Sequence, residues 1–566
     1  MDGAPFDQAQ MDDEPVDSGA GTPDPAAPPI VDRRKLLFGA GFGAVNLAML
    51  RTISAPGRDA GNLAKILSEP GDAPQTSVLA GQDVEPTTSV PPRMANAAPP
   101  PGPDHVFDHV ISGGRVIDPG SGFDAIANVG IDGATISSIS FERLNSKQAA
   151  IDATGLVVAP GFIDLLSYQL NGYGEWFKLA DGVTTNLCMH GIDAPAAEFF
   201  PKMAALRPPI HYGGAYDNAA IRPDIGSLGI YDEPSAEQVE QIIAAANTDV
   251  ANGAIGLHLQ PEYTPGITTQ ELMRHGELAT RVGVPVFMHI RYSEDQEPGT
   301  QAEAIDEVVR LARETGAAVH VEHINSTGGT GRMAEAIGTL EAARAEGLEI
   351  TACVYPYTFW ATYLRSSRYV DWQEKYGISY GDLQVAGRSE RLTEATYRTA
   401  YAENMLTAAF AMSDEDIDVA LRARWVMIGS DAILETAHNN HPRATGCFSR
   451  VLGTYVRDRN VISLRAALGK MTIRPARLLQ KASPDLARKG RMQMGADADV
   501  TIFNAETITD RSTIAEPWLP STGVDWVLVN GTIAKRPTGS ASDAEGRPLP
   551  DGVDTSVAPG SALRPI

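Results

Sequence analysis

Three imidazoles and one carboxylate stand at the ends of short apolar runs. His190 closes TTNLCMH, His289 lies at the end of PVFMHI, His323 closes AVHVEH and Asp431 closes WVMIGSD. Neutral imidazoles suit zinc, and a carboxylate beside them can take up and return a proton. Delivered one per strand to one end of an α/β barrel, they have the makings of a site that activates water. His258, at the end of a fourth apolar run, GAIGLHL, and Glu262, three residues beyond that run, are candidates to contribute. His320 lies three residues before His323 and so faces away from it on a strand.

Positioning these groups requires a ring of strands. Eight runs qualify: LVVAPGFIDLL, TTNLCMH, PIHYGGAY, GAIGLHL, VPVFMHI, AVHVEHI, EITACVYP and WVMIGSD. They are near-continuously apolar, as strands buried on both faces are. Helical patterns lie between them. AEAIDEVVRLARETG places Ile305, Val308, Val309 and Ala312 on one face, and TTQELMRHGELATRVG and RMAEAIGTLEAARAEG behave likewise, each closing on glycine. The alternation predicts an α/β fold, a (β/α)8 TIM-like barrel over 156–482. A long aromatic and charged stretch, 358–424, reads as a helical insertion over the barrel mouth, a lid. Gly-punctuated β runs at 105–155 and again at 483–540 predict one small β-sandwich subdomain built from both ends of the folded region, with 541–566 as a flexible tail.

The whole chain has 566 residues and a formal net charge of -25. That charge argues against nucleic acid and anionic membrane surfaces as partners, since both repel it. Cys188, Cys353 and Cys447 are widely spaced without a CxxC pair, which excludes a disulfide framework and an all-cysteine zinc site. Residues 1–54 combine an acidic leader with Arg33-Arg34-Lys35 ahead of a Gly-rich apolar run. That pattern resembles a twin-arginine signal, and implies the export machinery as a partner and a periplasmic or secreted destination. The alternative is a cytoplasmic protein with a short amphipathic helix there. Residues 55–104, rich in Pro, Ala, Ser and Thr, read as a disordered linker.

Several segments, taken in order from about Val106 to Arg536, carry a resemblance: ISGGRVIDPGSG, VVAPGFID, DGVTTNLCMHG, GAIGLHLQPEYTPG, VYPYT, IGSDA, HPRATGCFSRVLGTYVRD, KGRMQMGADADVTIF and STGVDWVLVNG. Together they resemble the amidohydrolase superfamily, and within it the D-aminoacylase (N-acyl-D-amino-acid deacylase) branch. The resemblance implies hydrolysis of a non-peptide C–N bond, with an N-acyl amino acid or related amide as substrate. It implies His289 as the fifth-strand metal ligand, His323 as the sixth-strand ligand, and Asp431 as general base and further ligand. The family's second-strand cysteine has two counterparts here, Cys188 and His190. They share a face of a strand, so alternation does not separate them. His190 is preferred because it lies nearer the strand end and imidazole suits zinc as thiolate does.

The departures are as informative. Leu166 and Tyr168 stand where the family has His-x-His on the first strand, and Cys353 stands where an aspartate commonly precedes Tyr-Pro-Tyr. Leucine cannot bind metal, so one of two metal positions loses most of its ligands. One Zn2+ per chain on His190, His289 and His323 is the expectation. His441, Arg443, Arg291, Tyr292, Tyr355 and Tyr168 are the candidate substrate contacts. Arg443 has the fork geometry to grip a carboxylate. Two other readings fit the same barrel: a metal-dependent isomerase or lyase, and a catalytically silent binding protein that lost its first-strand ligands.

Overall fold

The computed structural model describes residues 89–565 apart from 96, 296–297 and 436–439. The twin-arginine segment and the linker up to residue 88 lie outside the described residues. No helix among the described residues is long and apolar enough to cross a membrane.

Each of the eight apolar runs holds one barrel strand. In order they are Phe162–Asp164, Val183–Cys188, His211–Gly214 continued by Tyr216–Asp217, Leu257–Leu259, Val286–Met288, Val319–Val321, Ile350–Val354 and Val426–Ile428. Neighbours pair in parallel. The last strand meets the first where the Asp431 N–H donates to the Leu166 carbonyl at 2.7 Å. The strands are short and their Val, Ile, Leu and Phe side chains are buried, as expected of a barrel wall covered by helices.

The first run divides. Val157–Pro160 pairs with Val500–Phe503 and His109–Asp118 in the second subdomain, and only Phe162–Asp164 belongs to the barrel. Gly161 marks the division: a Cβ there would lie 2.2 Å from the Thr184 hydroxyl. The second subdomain is a β-sheet whose path runs Thr532–Lys535, Val524–Val529, Val500–Phe503, Val157–Pro160, His109–Asp118, Phe123–Asp132, Thr135–Ser140, so both ends of the folded region share one ladder. Its own core includes Ile111, Val129, Ile131, Val500, Ile502 and Leu528.

The helices start and stop where their end residues dictate. Thr300 caps Gln301–Thr315 and exchanges hydrogen bonds with Glu303, while Gly316, at φ 72°, ends it. Ser235 caps Ala236–Ala251 in the same way with Gln238. Thr268 caps Thr269–Val282, which stops at Gly283 with φ 76°.

The segment 358–424 differs from the helical insertion expected of it. Trp360–Tyr363, Leu406–Ala409 and Leu383–Val385 form a three-stranded antiparallel sheet, with short helices Trp372–Tyr376 and Glu394–Ala402 between them. Trp360, Tyr369, Trp372, Leu383 and Val385 give it a separate core. Aromatic and β-branched residues favour the sheet over a helix here. Only Asp414–Arg422 is a regular helix of the barrel's outer layer. At the far end, expected as a flexible tail, Leu563 is buried, and its N–H donates to Tyr212 O at 2.8 Å beside the third barrel strand.

Candidate active site

Strand register brings the site together. Leu259, Met288 and Val321 are level across the fourth, fifth and sixth strands, and each ends its strand. His289 follows Met288 directly, and Glu322 and His323 follow Val321. On the other side of the ring, Val354 pairs with Ile428, three residues before Asp431. All these groups therefore emerge at the C-terminal rim, where barrels of this kind carry their chemistry. Two of them sit in left-handed backbone, His323 at φ 27° and Asp431 at φ 51°. Non-glycine residues in that region cost roughly 1–3 kcal/mol each, and such strain clusters where side-chain placement matters.

His190, His289, His323 and Glu322 each offer a ligand atom, and these atoms lie within 4.8 Å of one another. His289 Nε2 is 2.5 Å from Glu262 Oε2, and His323 Nδ1 is 3.0 Å from the Ser326 hydroxyl. Those contacts leave His289 Nδ1 and His323 Nε2 turned towards each other at 3.1 Å. Burial, reinforced by Arg368, keeps His289 well below the usual imidazole range, and burial takes His323 down to about 3. Two neutral imidazoles so placed, with their outer nitrogens held by a carboxylate and a hydroxyl, have the arrangement of metal ligands oriented by outer partners. His190 Nε2 completes the ring, 3.7 Å from Glu322 Oε2 and 3.6 Å from Asp431 Oδ1. Glu322 has no side-chain exposure, and among the described residues neither of its oxygens has a hydrogen-bond partner. A buried carboxylate facing three imidazoles without a donor is expensive, and a cation at their centre removes that cost. The residues present fit a bound metal ion.

Asp431 stands at the edge of this cluster. Its Oδ2 is 2.8 Å from Arg443 Nη2, while its Oδ1 is buried without a hydrogen-bond partner. Burial opposes the charged carboxylate, but Arg443, and then the nearby histidines, bring it down to about 2. Behind it lies a buried network: Lys178 Nζ is 2.6 Å from both Asp164 Oδ2 and the Ser430 hydroxyl. The Ser430 N–H also donates to Asp164 Oδ1 at 3.0 Å, so the residue next to Asp431 is pinned to the first strand. Leu166 fills the first-strand position beside it, fully buried.

The structure separates Cys188 from His190. The second strand ends at Cys188, and Met189 and His190 lie in a turn, so two-residue alternation no longer applies. Cys188 Sγ donates to Gly191 O at 2.9 Å, and burial pushes its thiol well above the usual range. His190 alone of the two joins the cluster. Tyr168 stacks on His190 with ring centroids 5.1 Å apart and is 39% exposed at the mouth. Tyr355 lies under the Arg443 guanidinium, 4.4 Å from it. His441 accepts from the Arg443 N–H at 3.0 Å and stacks on Phe359, so it shapes the turn leading into the helix that begins at Arg443. Arg291 is turned outwards: it donates to Glu307, Pro265 O and Ile267 O, which removes it from the substrate side. Tyr292 packs against Gly299. His320 faces Thr351 and Phe287, away from the cluster. Cys353 is buried, and its sulfur accepts from the His323 N–H at 3.2 Å.

Two contributors were invisible in the pattern of residues. Glu322 lies one residue from His323, and strand alternation would send it to the opposite side. The strand stops at Val321, however, and the turn at His323 lets both side chains face the mouth. Arg368, in the insertion, is buried over the Trp360 ring at 4.2 Å, with Nη1 3.7 Å from Glu262 Oε2 and Nη2 bonded to Ser326 O. It thereby ties the insertion to the residues that hold His289 and His323.

A barrel with a histidine and carboxylate cluster at its C-terminal rim defines a metal-dependent hydrolase class, and comparison with known proteins agrees. Residues 244–534 match the Amidohydrolase family. An N-acyl-D-glutamate deacylase of Alcaligenes xylosoxydans xylosoxydans is 31% identical over 474 residues, spanning 75% of this chain and 93% of the relative. A D-aminoacylase of the same organism is 28% identical over 471 residues, spanning 75% and 94%. The crystal structure of N-acyl-D-glutamate deacylase from Bordetella bronchiseptica, complexed with zinc and a phosphonate inhibitor, superposes with a TM-score of 0.68 at 26% identity, covering 81% of this chain and 100% of that one. A D-aminoacylase structure shares the fold, with a TM-score of 0.69 at 24% identity over 81% and 100% of the two chains. The chain belongs to the amidohydrolase family. It is a metal-dependent hydrolase of carbon–nitrogen bonds other than peptide bonds, built on a TIM barrel with a β-sandwich.

Proposed function

We propose that the chain removes the acyl group from an N-acyl amino acid, using one zinc ion held by His190, His289 and His323. The observation that carries this reading is the convergence of those three imidazoles with Glu322 beside Asp431 and Arg443. The deacylase relatives point to the substrate class. Leu166 and Tyr168 at the first strand support one metal over two, because neither is an imidazole. Zinc, when bound there, lowers the pKa of water and polarises the scissile carbonyl.

The protein's own groups do the rest. Asp431 Oδ1, which has no partner among the described residues, takes the proton of the attacking water and returns it to the leaving amine. Arg443 fixes Asp431 Oδ2. Its Nε and Nη1 are buried without hydrogen-bond partners among the described residues, so they are the donors for the substrate carboxylate. Tyr168, at the mouth over His190, borders the acyl side. Export through the twin-arginine route is part of the proposal, supported by Arg33-Arg34 ahead of the apolar run, and cell fractionation tests it.

A panel of N-acyl-D- and N-acyl-L-amino acids, offered to the zinc-loaded protein and to His289→Ala, tests the reading. Release of free amino acid by the wild type, lost with the metal in the variant, supports it. A zinc-replete protein that cleaves no member of the panel contradicts it.

A further inference from the structure

We infer that Glu322 is itself a ligand of the metal, and that His258 and Asp217 hold it in place. This rests on the metal-site reading above and adds a fourth, anionic ligand to the three imidazoles.

Glu322 Oε2 is 3.7 Å from His190 Nε2, 3.9 Å from His323 Nε2 and 3.6 Å from His258 Nε2. These spacings are too long for hydrogen bonds. Two ligand atoms each ~2.1 Å from one zinc ion lie no more than ~4.2 Å apart, so the spacings to His190 and His323 allow a shared ion, and a five-coordinate ion would still leave a position for the water. Glu322 and His323 are both buried, and His190 has a side-chain exposure of 8%. Water is therefore a poor substitute partner for the two orphaned Glu322 oxygens. His258 is fully buried in the fourth strand, and its Nδ1 faces Asp217 Oδ1 at 3.3 Å. Its Nε2 points at Glu322 and has no hydrogen-bond partner among the described residues. Asp217, His258 and Glu322 thus form a line running from the third strand, through the fourth, to the ligand cluster. A carboxylate so backed is positioned for a cation, as outer partners position metal ligands. The fourth ligand also adds negative charge to a site where Leu166 and Tyr168 supply none.

Zinc affinity decides the matter, read by competition with a chromophoric chelator and by the thermal shift that zinc produces. Glu322→Gln should weaken zinc binding by more than ~100-fold, whereas His258→Gln, an outer partner, should stay within ~10–100-fold. The thermal gain on adding zinc should shrink in Glu322→Gln relative to wild type, because the variant binds the ion more weakly. A Glu322→Gln protein that binds zinc as tightly as wild type overturns the inference. So does one whose metal-free form melts lower while its zinc increment is unchanged, which is the behaviour of a purely structural residue. Wild-type protein that binds no zinc sinks both this inference and the metal reading. Tight zinc binding through Glu322 without deacylation sinks the substrate proposal alone.

Discussion

Arg443 Nη2 and Asp431 Oδ2 are 2.8 Å apart in a pair whose side chains are only 6% and 7% exposed. A guanidinium thus stands against the carboxylate of a residue whose backbone N–H is held by Leu166, just past the first strand. Arg443→Met should leave a buried, uncompensated aspartate and destabilise the protein by about 3–5 kcal/mol. Arg443→Lys should keep much of the stability but raise KM sharply, since lysine lacks the fork that grips a carboxylate. Denaturant unfolding and steady-state kinetics on the two variants separate these effects. A Lys variant with wild-type KM would remove Arg443 from substrate binding.

Asp431→Asn keeps the shape and loses the proton acceptor. kcat should fall by about 10²–10⁴-fold, the usual worth of a positioned general base. Zinc content, measured beside it, separates loss of the base from loss of the metal. Undiminished turnover with normal zinc would take Asp431 out of the mechanism.

The Lys178, Asp164 and Ser430 network carries Asp431 into its left-handed backbone. Removing the ammonium with Lys178→Met strands Asp164 in the core, where the Lys178 side chain is 2% exposed and Asp164 is 0% exposed. A loss of about 3–5 kcal/mol is expected. If Asp164→Asn is added, much of that loss should be recovered, because the unpaired charge is then gone. Additive losses in the two variants would contradict a paired role.

Much of the fold was legible because barrel strands are apolar on both faces and are punctuated by helices with clear caps. All eight strand segments follow from that rule. His289, His323 and Asp431 were legible because each ends such a run. Alternation failed at strand ends: it tied Cys188 to His190 and would have turned Glu322 away from His323, since it assumes extended backbone beyond the last ladder pair. The insertion was misjudged because aromatic density says that a core exists but not whether a sheet or a helix carries it. Arg291 looked like a rim residue by its place next to His289, yet Glu307 and two carbonyls claim it.

Metal-free protein should have a stability maximum near pH 6.5. His323 falls from 6.5 to about 3 on folding, mainly through burial. The stability it contributes is complete above pH 6.5 and is lost as pH falls towards 3, by ~1.4 kcal/mol per pH unit per proton. His258 goes the other way: burial opposes its charge, but Glu322 and Asp217 raise it to about 10. Its contribution is complete below pH 6.5 and is lost as pH rises towards 10. Urea unfolding of the chelated protein at pH 5, 6.5 and 8.5 checks both arms. A flat profile would contradict the buried, neutral His323 and the charged His258.

The central claim is a single zinc held through His190 and not Cys188. Zinc counted per chain in wild type, Cys188→Ser and His190→Ala tests it most directly. The arrangement predicts about one zinc in wild type, the same in Cys188→Ser, and markedly less retained through dialysis in folded His190→Ala. Zinc lost from Cys188→Ser and kept by His190→Ala would contradict it.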